Sequence, residues 1–216
     1  MTESYRIVYK GGTGELVEKK SRFIAEVRPV STEEEALAFI EEVRKKFWDA
    51  RHHCYAYRIG DRGQTARCSD DGEPSQTAGK PMMDILTGEG LNDVCAVVTR
   101  YFGGTLLGTG GLVRAYSGAL KEGLSQCTVL EKKLAVSLRV TSDYTGVGKI
   151  QYLAAQEGID TLDTEYTENV VFTFLVPVAE EGRFISKLTE GTNGKAEIVR
   201  EKELYYGRAD GELILL

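Results

Sequence analysis

The sequence has no long hydrophobic run, little proline and few cysteines, and each of these features excludes a class of protein. No stretch approaches the ~20 consecutive apolar residues that a membrane-spanning helix needs, and Met1 to Arg6 contain no signal-peptide core. Only 4 of the 216 residues are proline, which argues against a proline-rich linker protein. The 4 cysteines are widely spaced and suggest no disulfide framework, so we expect reduced thiols and a cytoplasmic location.

The composition is otherwise that of an ordinary globular protein. Hydrophobic residues make up 42% of the chain and charged residues 28%. The length of 216 residues allows one large domain or two of about 100–150 residues. A net charge of −6 excludes a protein that coats nucleic acid through its overall positive charge, but it leaves room for a local basic surface.

The first 131 residues predict a mixture of strands and helices. Phe23, Ala25 and Val27 alternate with more polar residues and predict a half-buried strand. A capping box at Ser31 and Glu34 predicts the start of a helix. The predicted elements are strands over 15–30, 52–59 and 94–102, helices over 32–47 and 80–86, a loop over 60–76, and a helix entered from the glycine run 103–111.

The pattern changes after about residue 130. The remaining segments follow the order βαββαβ, which is typical of a ferredoxin-like domain. We therefore predict an α+β protein with two domains, residues 1–131 and 132–216, joined at Lys132-Lys133.

The strongest candidate site is the segment Arg100–Arg114, where a strand ends, a glycine run follows and a helix begins. Glycines expose backbone N–H groups to an anion, and a helix N-terminus adds favourable partial charge. Arg100 and Arg114 are candidate phosphate contacts. The alternative is that the glycines serve only tight turns and close packing of the helix on the sheet. The run lacks the third glycine of a dinucleotide fingerprint, so no cofactor is predicted.

Two further features admit a structural or a functional interpretation. Segment 68–81 carries three carboxylates within four positions, which suits either a surface loop or a small enzyme's acidic site. The adjacent His52 and His53 should point to opposite faces of a strand, so a shared metal is not predicted. A nucleophilic pair of His52 with Cys54 is the catalytic alternative to aromatic packing.

Segment 44–67 holds seven basic residues, which indicate either a nucleic-acid surface or a solvated helix end. The seven residues are Arg44, Lys45, Lys46, Arg51, Arg58, Arg62 and Arg67.

Several motifs resemble those of the YigZ/IMPACT family. They are Arg22–Ala25, Asp70–Pro74, Ala78–Pro81 and Arg100–Gly104 with Gly108. The resemblance implies a first domain like domain 2 of ribosomal protein S5 and a second domain like domain V of elongation factor G. It thereby implies binding to RNA or the ribosome, with a protein partner in translation control as a further candidate. It transfers no catalytic residue, no metal and no cofactor.

The implied contact surface comprises Lys80, Arg100, Tyr101, Gly103, Gly104, Gly108, Gly110, Gly111 and Arg114. The first hypothesis is therefore a nonenzymatic regulator of translation that binds RNA or the ribosome. No membrane partner is predicted. The alternative is a small hydrolase or phosphate-ester-processing enzyme that uses the 68–81 loop and His52 or His53. A third is a protein-interaction module working through the tyrosine-rich strand at 55–57.

Overall fold

The computed structural model describes residues 2–216 and divides into two compact units, of which the first ends at Glu131 and the second begins at Lys132. Each unit has its own hydrophobic core. The mixed α+β class predicted from the sequence is confirmed. Among residues 2–216, no helix is both long enough and apolar enough to cross a lipid bilayer.

The first unit is built on a five-stranded antiparallel sheet with helices on both faces. Its elements are β1 (Ser4–Lys10), β2 (Gly12–Glu18), β3 (Ser21–Pro29), α1 (Glu33–Lys46), β4 (His52–Ile59), β5 (Thr65–Ser69), α2 (Gly79–Gly88), β6 (Leu91–Asn92), β7 (Val94–Tyr101) and α3 (Gly108–Ser125). The sheet order is β2-β3-β7-β4-β5, and the short β6 pairs in parallel with β1.

The central strand β7 is apolar on both faces because both faces are covered. Val94, Ala96 and Val98 pack in the core that contains residues of α2 and α3. Cys95 and Val97 pack on the opposite side, in the core that contains residues of α1. The end of β7 therefore emerges from a rigid, fully packed strand, and it delivers the glycine run to the surface in a fixed position.

Helix α1 begins one residue later than the capping box at Ser31 and Glu34 predicts. Thr32 is the N-cap, and its hydroxyl accepts a hydrogen bond from the backbone N–H of Glu35 at 3.2 Å. The Glu35 carboxylate in turn accepts from the backbone N–H of Ser31 at 2.6 Å. The sequence Ser-Thr-Glu-Glu-Glu offers both registers, and the structure uses the second.

Several strands of the first unit escape the sequence patterns, and β1 and the short β6 were not predicted at all. The extended segment 15–30 is two strands, because β2 and β3 form a hairpin that turns at Lys19 and Lys20 with φ of 45° and 68°. This turn has no Gly, Asn or Asp and so carries no sequence signal. The loop predicted over 60–76 contains β5, which pairs with β4 at the sheet edge.

The second unit has the predicted βαββαβ order and one additional edge strand. Its elements are β8 (Thr128–Ser142, which crosses the boundary), α4 (Val147–Glu157), β9 (Asp160–Tyr166), β10 (Val170–Pro177), α5 (Glu181–Gly191), β11 (Glu197–Ala209) and β12 (Glu212–Leu215). The pairings give the strand order β9-β10-β8-β11-β12. The first four strands of this order have the arrangement of a ferredoxin-like sheet, with α4 and α5 contributing to its core.

Candidate anion-binding site

The glycine run 103–111 forms an exposed loop up to Leu107, and its last four residues are the first turn of α3. Only glycine fits at position 103, because a Cβ there would lie 2.0 Å from the carbonyl carbon of Lys20 in the β2–β3 turn. Gly104 and Gly108 have φ of +86° and +71°, a region that favours glycine. These three glycines are therefore explained by the backbone conformation and by close packing, without any ligand.

The N-terminus of α3 is open to solvent and has no internal counter-charge. The N-cap, Leu107, supplies no side-chain hydrogen bond, and the first turn contains no acidic residue. A Cβ at Gly110 would contact only the Arg114 guanidinium, at 3.6 Å, so neither sterics nor φ requires glycine there. The first N–H groups of the 18-residue helix are thus available to an anion.

Arg100 does not project into solvent beside this helix end, as a direct phosphate contact would require. The residue is only 7% exposed, and its Nη1 donates to Glu73 Oε1 at 2.7 Å. The hydroxyl of Tyr116 donates to the same oxygen, also at 2.7 Å. Burial raises the pKa of Tyr116, and the nearby Glu73 carboxylate adds to that shift. The structure therefore gives Arg100 a buried structural pairing, which corrects the idea of two free guanidinium groups flanking the loop.

The remaining predicted contacts divide into two groups. Arg114 is exposed, and no ion pair or hydrogen bond of its side chain occurs within residues 2–216. Partial burial raises the pKa of Tyr101, and the hydrogen bond that its hydroxyl donates to Asp49 at 2.7 Å adds to that shift. Lys80 lies in the first turn of α2 and forms an ion pair with Asp84 four residues later. Arg114 accordingly belongs to the open helix end, whereas Lys80 is paired on another helix.

Three further basic residues lie at this end of the sheet. Lys19 and Lys20 belong to none of the predicted sites, and Arg51 is one of the seven basic residues of segment 44–67. Lys19 and Lys20 form the hairpin turn against which Gly103 packs. Arg51 lines the same open cleft as Phe102 and follows α1. All three basic residues are exposed, and their side chains have no partner in the described part of the chain. Only the β2–β3 pairing brings the two lysines to the glycine loop, so no local sequence signal identifies them.

The acidic loop 68–81 is held by protein contacts. Asp70 accepts from the N–H groups of Ala78 and Gly79 at 3.0 and 2.9 Å, and so caps α2 from eight residues away. Asp71 accepts from the backbone N–H of His53 at 2.7 Å. With Glu73 committed to Arg100, each of the three carboxylates serves a different part of the fold. Within residues 2–216, no group of three or more His, Cys, Asp or Glu side chains is placed to hold a metal ion.

The two histidines lie on opposite faces of β4, as the strand periodicity predicts. His53 is buried, and its Nε2 lies 3.1 Å from the carbonyl oxygen of Phe47. Nδ1 of His52 lies 2.8 Å from the carbonyl oxygen of Asp71. Burial raises the pKa of the Cys54 thiol, which donates to the Asp70 carbonyl at 3.0 Å. A protonated, buried thiol is a poor nucleophile, so this arrangement favours the packing interpretation.

The basic segment 44–67 does not form one surface. Arg44, Lys46 and Arg67 form ion pairs with carboxylates of other elements or of α1 itself. Arg51 and Arg62 flank β4 at opposite ends, and its eight residues span about 25 Å. Arg51 lines the cleft at the end where the glycine loop emerges, and it has no partner within residues 2–216.

Comparison with known proteins places these features in a family. The profile of the Impact N-terminal domain matches residues 19–124, and that of a domain of unknown function, DUF1949, matches residues 140–195. The IMPACT family member YvyE of Bacillus subtilis is 45% identical over 206 residues, covering 95% of this chain and 94% of the relative. The IMPACT family member YigZ of Escherichia coli is 39% identical, covering 86% and 92%.

Other similarities cover either the whole chain or its first part. A crystal structure described as that of a hypothetical protein has a TM-score of 0.60 and 37% identity, and covers 94% of this chain and 99% of its own. Protein IMPACT of Mus musculus is 33% identical over 98 residues, which are 43% of this chain and 30% of the mouse protein. With matches of this identity across nearly its full length, the chain belongs to the IMPACT family.

Proposed function

We propose that this protein is a nonenzymatic regulator of translation that binds RNA or the ribosome through the open end of α3. The observation that carries the proposal is the uncapped N-terminus of α3, together with four exposed basic side chains without protein partners at the same end of the first unit. Those four residues are Lys19, Lys20, Arg51 and Arg114. We call this surface, together with the glycine loop 103–111, the glycine-loop surface.

The charges of the glycine-loop surface support a phosphate ligand. Backbone N–H groups at a helix N-terminus bind phosphate without sequence preference, and surrounding cations strengthen the contact. Gly110 is unrestricted by φ or packing, and a Cβ on a helix tilts toward the N-terminus. Glycine at this position therefore leaves the helix end bare where an RNA backbone would approach. The net charge of −6 limits nonspecific binding elsewhere, which favours a local site.

The test measures the affinity of the full chain for RNA over a range of salt concentrations. Arg114→Ala should weaken binding and reduce the slope of log affinity against log salt by about one, because one phosphate contact is lost. Gly110→Ala should keep or raise thermal stability, since alanine is about 1 kcal/mol better than glycine in a helix. The same variant should nevertheless lower RNA affinity, because its methyl group covers the exposed amides.

Arg62→Ala is the matched control. Arg62 is also exposed and unpaired within residues 2–216, but it lies in the β4–β5 connection at the far end of the sheet. Its replacement should leave both affinity and salt slope unchanged. Equal effects of Arg62→Ala and Arg114→Ala would reject the glycine-loop surface as the binding site.

A further inference from the structure

An open cleft lies beside the glycine-loop surface in the first unit. It has a volume of about 680 Å³, within the ~300–1,000 Å³ range of small-ligand sites. The cleft is lined by Asp49–His52, by Arg100–Phe102 at the end of β7, and by Leu106. Leu106 precedes Gly108, the first residue of α3, by only two positions, so the cleft and the helix end are at most ~7 Å apart along the chain.

The cleft presents apolar side chains that the fold leaves uncovered. Phe102 is 57% exposed and Leu106 is 83% exposed. The Arg100 guanidinium lies 5.6 Å from the centroid of the Phe102 ring and 5.4 Å from that of the buried Phe23 ring. Since Glu73 fixes Arg100, the cation supports the Phe102 ring from within the protein. A held aromatic ring beside cations is the arrangement on which unpaired bases stack.

The cleft also contains polar groups without protein partners. Arg100 Nε has no hydrogen-bond partner in the described part of the chain, but it is buried beneath the cleft and is not offered to a ligand. His52 is held through Nδ1, and its Nε2 is not engaged by any side chain or carbonyl of residues 2–216. Arg51 is exposed and unpaired at the rim. Apolar surface with a few unpaired polar groups is what a base requires, because its edges carry hydrogen-bonding groups and its faces do not.

We infer that this cleft takes one unpaired base of an RNA strand whose backbone lies on the α3 N-terminus, with the base stacked on Phe102. The inference rests on the proposed function and adds to it a preference for single-stranded over duplex RNA. A duplex keeps its bases stacked inside the helix, so it offers phosphates to the glycine-loop surface but no base to the cleft.

The experiment compares a mixed-sequence 12-nucleotide RNA with the same sequence annealed into a duplex, using the full chain and fluorescence anisotropy. Wild type should prefer the single strand. Phe102→Ala should reduce single-strand affinity roughly 5- to 150-fold, the range for loss of one base–aromatic stack, and should leave duplex affinity unchanged. Phe102→Tyr should retain the preference, and Phe102→Leu, which keeps an apolar side chain without the ring, should lose it.

Tyr152→Ala is the matched control, because Tyr152 is an aromatic residue of the second unit that is 59% exposed. It should bind single-stranded RNA like wild type. Equal affinity for single strand and duplex, or an unaffected Phe102→Ala variant, would overturn the base site while leaving the salt-dependent phosphate contact standing. Absence of any RNA binding by wild type would overturn both proposals.

Discussion

Glu73 should be among the most important single side chains for the stability of the first unit. Its carboxylate accepts hydrogen bonds from Arg100 and Tyr116 at 2.7 Å each, and both the carboxylate and the guanidinium are almost completely buried. Glu73→Ala would leave a buried cation and a buried hydroxyl without their acceptor. Removing one partner of a buried ion pair costs about 3–5 kcal/mol, a large part of the ~5–15 kcal/mol that stabilises a typical domain.

The assay is equilibrium denaturation of the full chain, followed by far-ultraviolet circular dichroism. Glu89→Ala is the matched control in the same unit, since Glu89 pairs with Arg6 at 3.3 Å and both side chains are about half exposed. That exposed pair should contribute at most about 1 kcal/mol. Equal losses for Glu73→Ala and Glu89→Ala would refute the reasoning that burial makes the Glu73 pair different.

A double-mutant cycle separates the two contacts of Glu73. Tyr116→Phe alone should cost about 1.5–3 kcal/mol, because it removes one hydrogen bond to a charged group. Added to Glu73→Ala, the same substitution should cost less than it does alone, since its acceptor is already absent. Strict additivity would show that the Tyr116 hydroxyl and the Glu73 carboxylate do not interact in solution.

Three other predictions test local features. Gly103→Ala should destabilise the chain by about 1–3 kcal/mol or more in thermal unfolding, because its Cβ would overlap the backbone of the β2–β3 turn; wild-type stability would contradict that packing. Thr32→Ala should lower the free energy of unfolding by about 1 kcal/mol, and Ser31→Ala should lower it much less. The reverse order would show that Ser31 is the N-cap, as the capping box at Ser31 and Glu34 predicts. In the second unit, a hydrogen bond from Lys187 lowers the pKa of Glu157. The ionised carboxylate of Glu157 therefore stabilises the folded state at neutral pH, and this stabilisation is lost as the pH falls through the lowered pKa. Glu157→Gln should remove that part of the acid sensitivity, as measured by hydrogen exchange of α4 at pH 3 to 7.

The sequence determined most elements because their signals are local. The tyrosine-rich segment predicted a strand over His52–Ile59, which are the bounds in the structure, and the period of a strand placed the two histidines on opposite faces. The βαββαβ order identified the fold of the second unit, since element order restricts a small α+β domain to few topologies. The sequence also predicted that the glycine run leads into a helix, because clustered glycines indicate a turn and the apolar stripe that follows has helical spacing.

Tertiary structure decided which charged side chains remain available. A pattern shows that Arg100 follows an apolar strand, but only the fold brings Glu73 from 27 residues away to pair with it inside the protein. The same packing carries Lys20 to the glycine loop through a turn that no local signal predicts. Whether a cation is paired or free depends on long-range contacts, and these arise from burial and strand pairing of the whole chain.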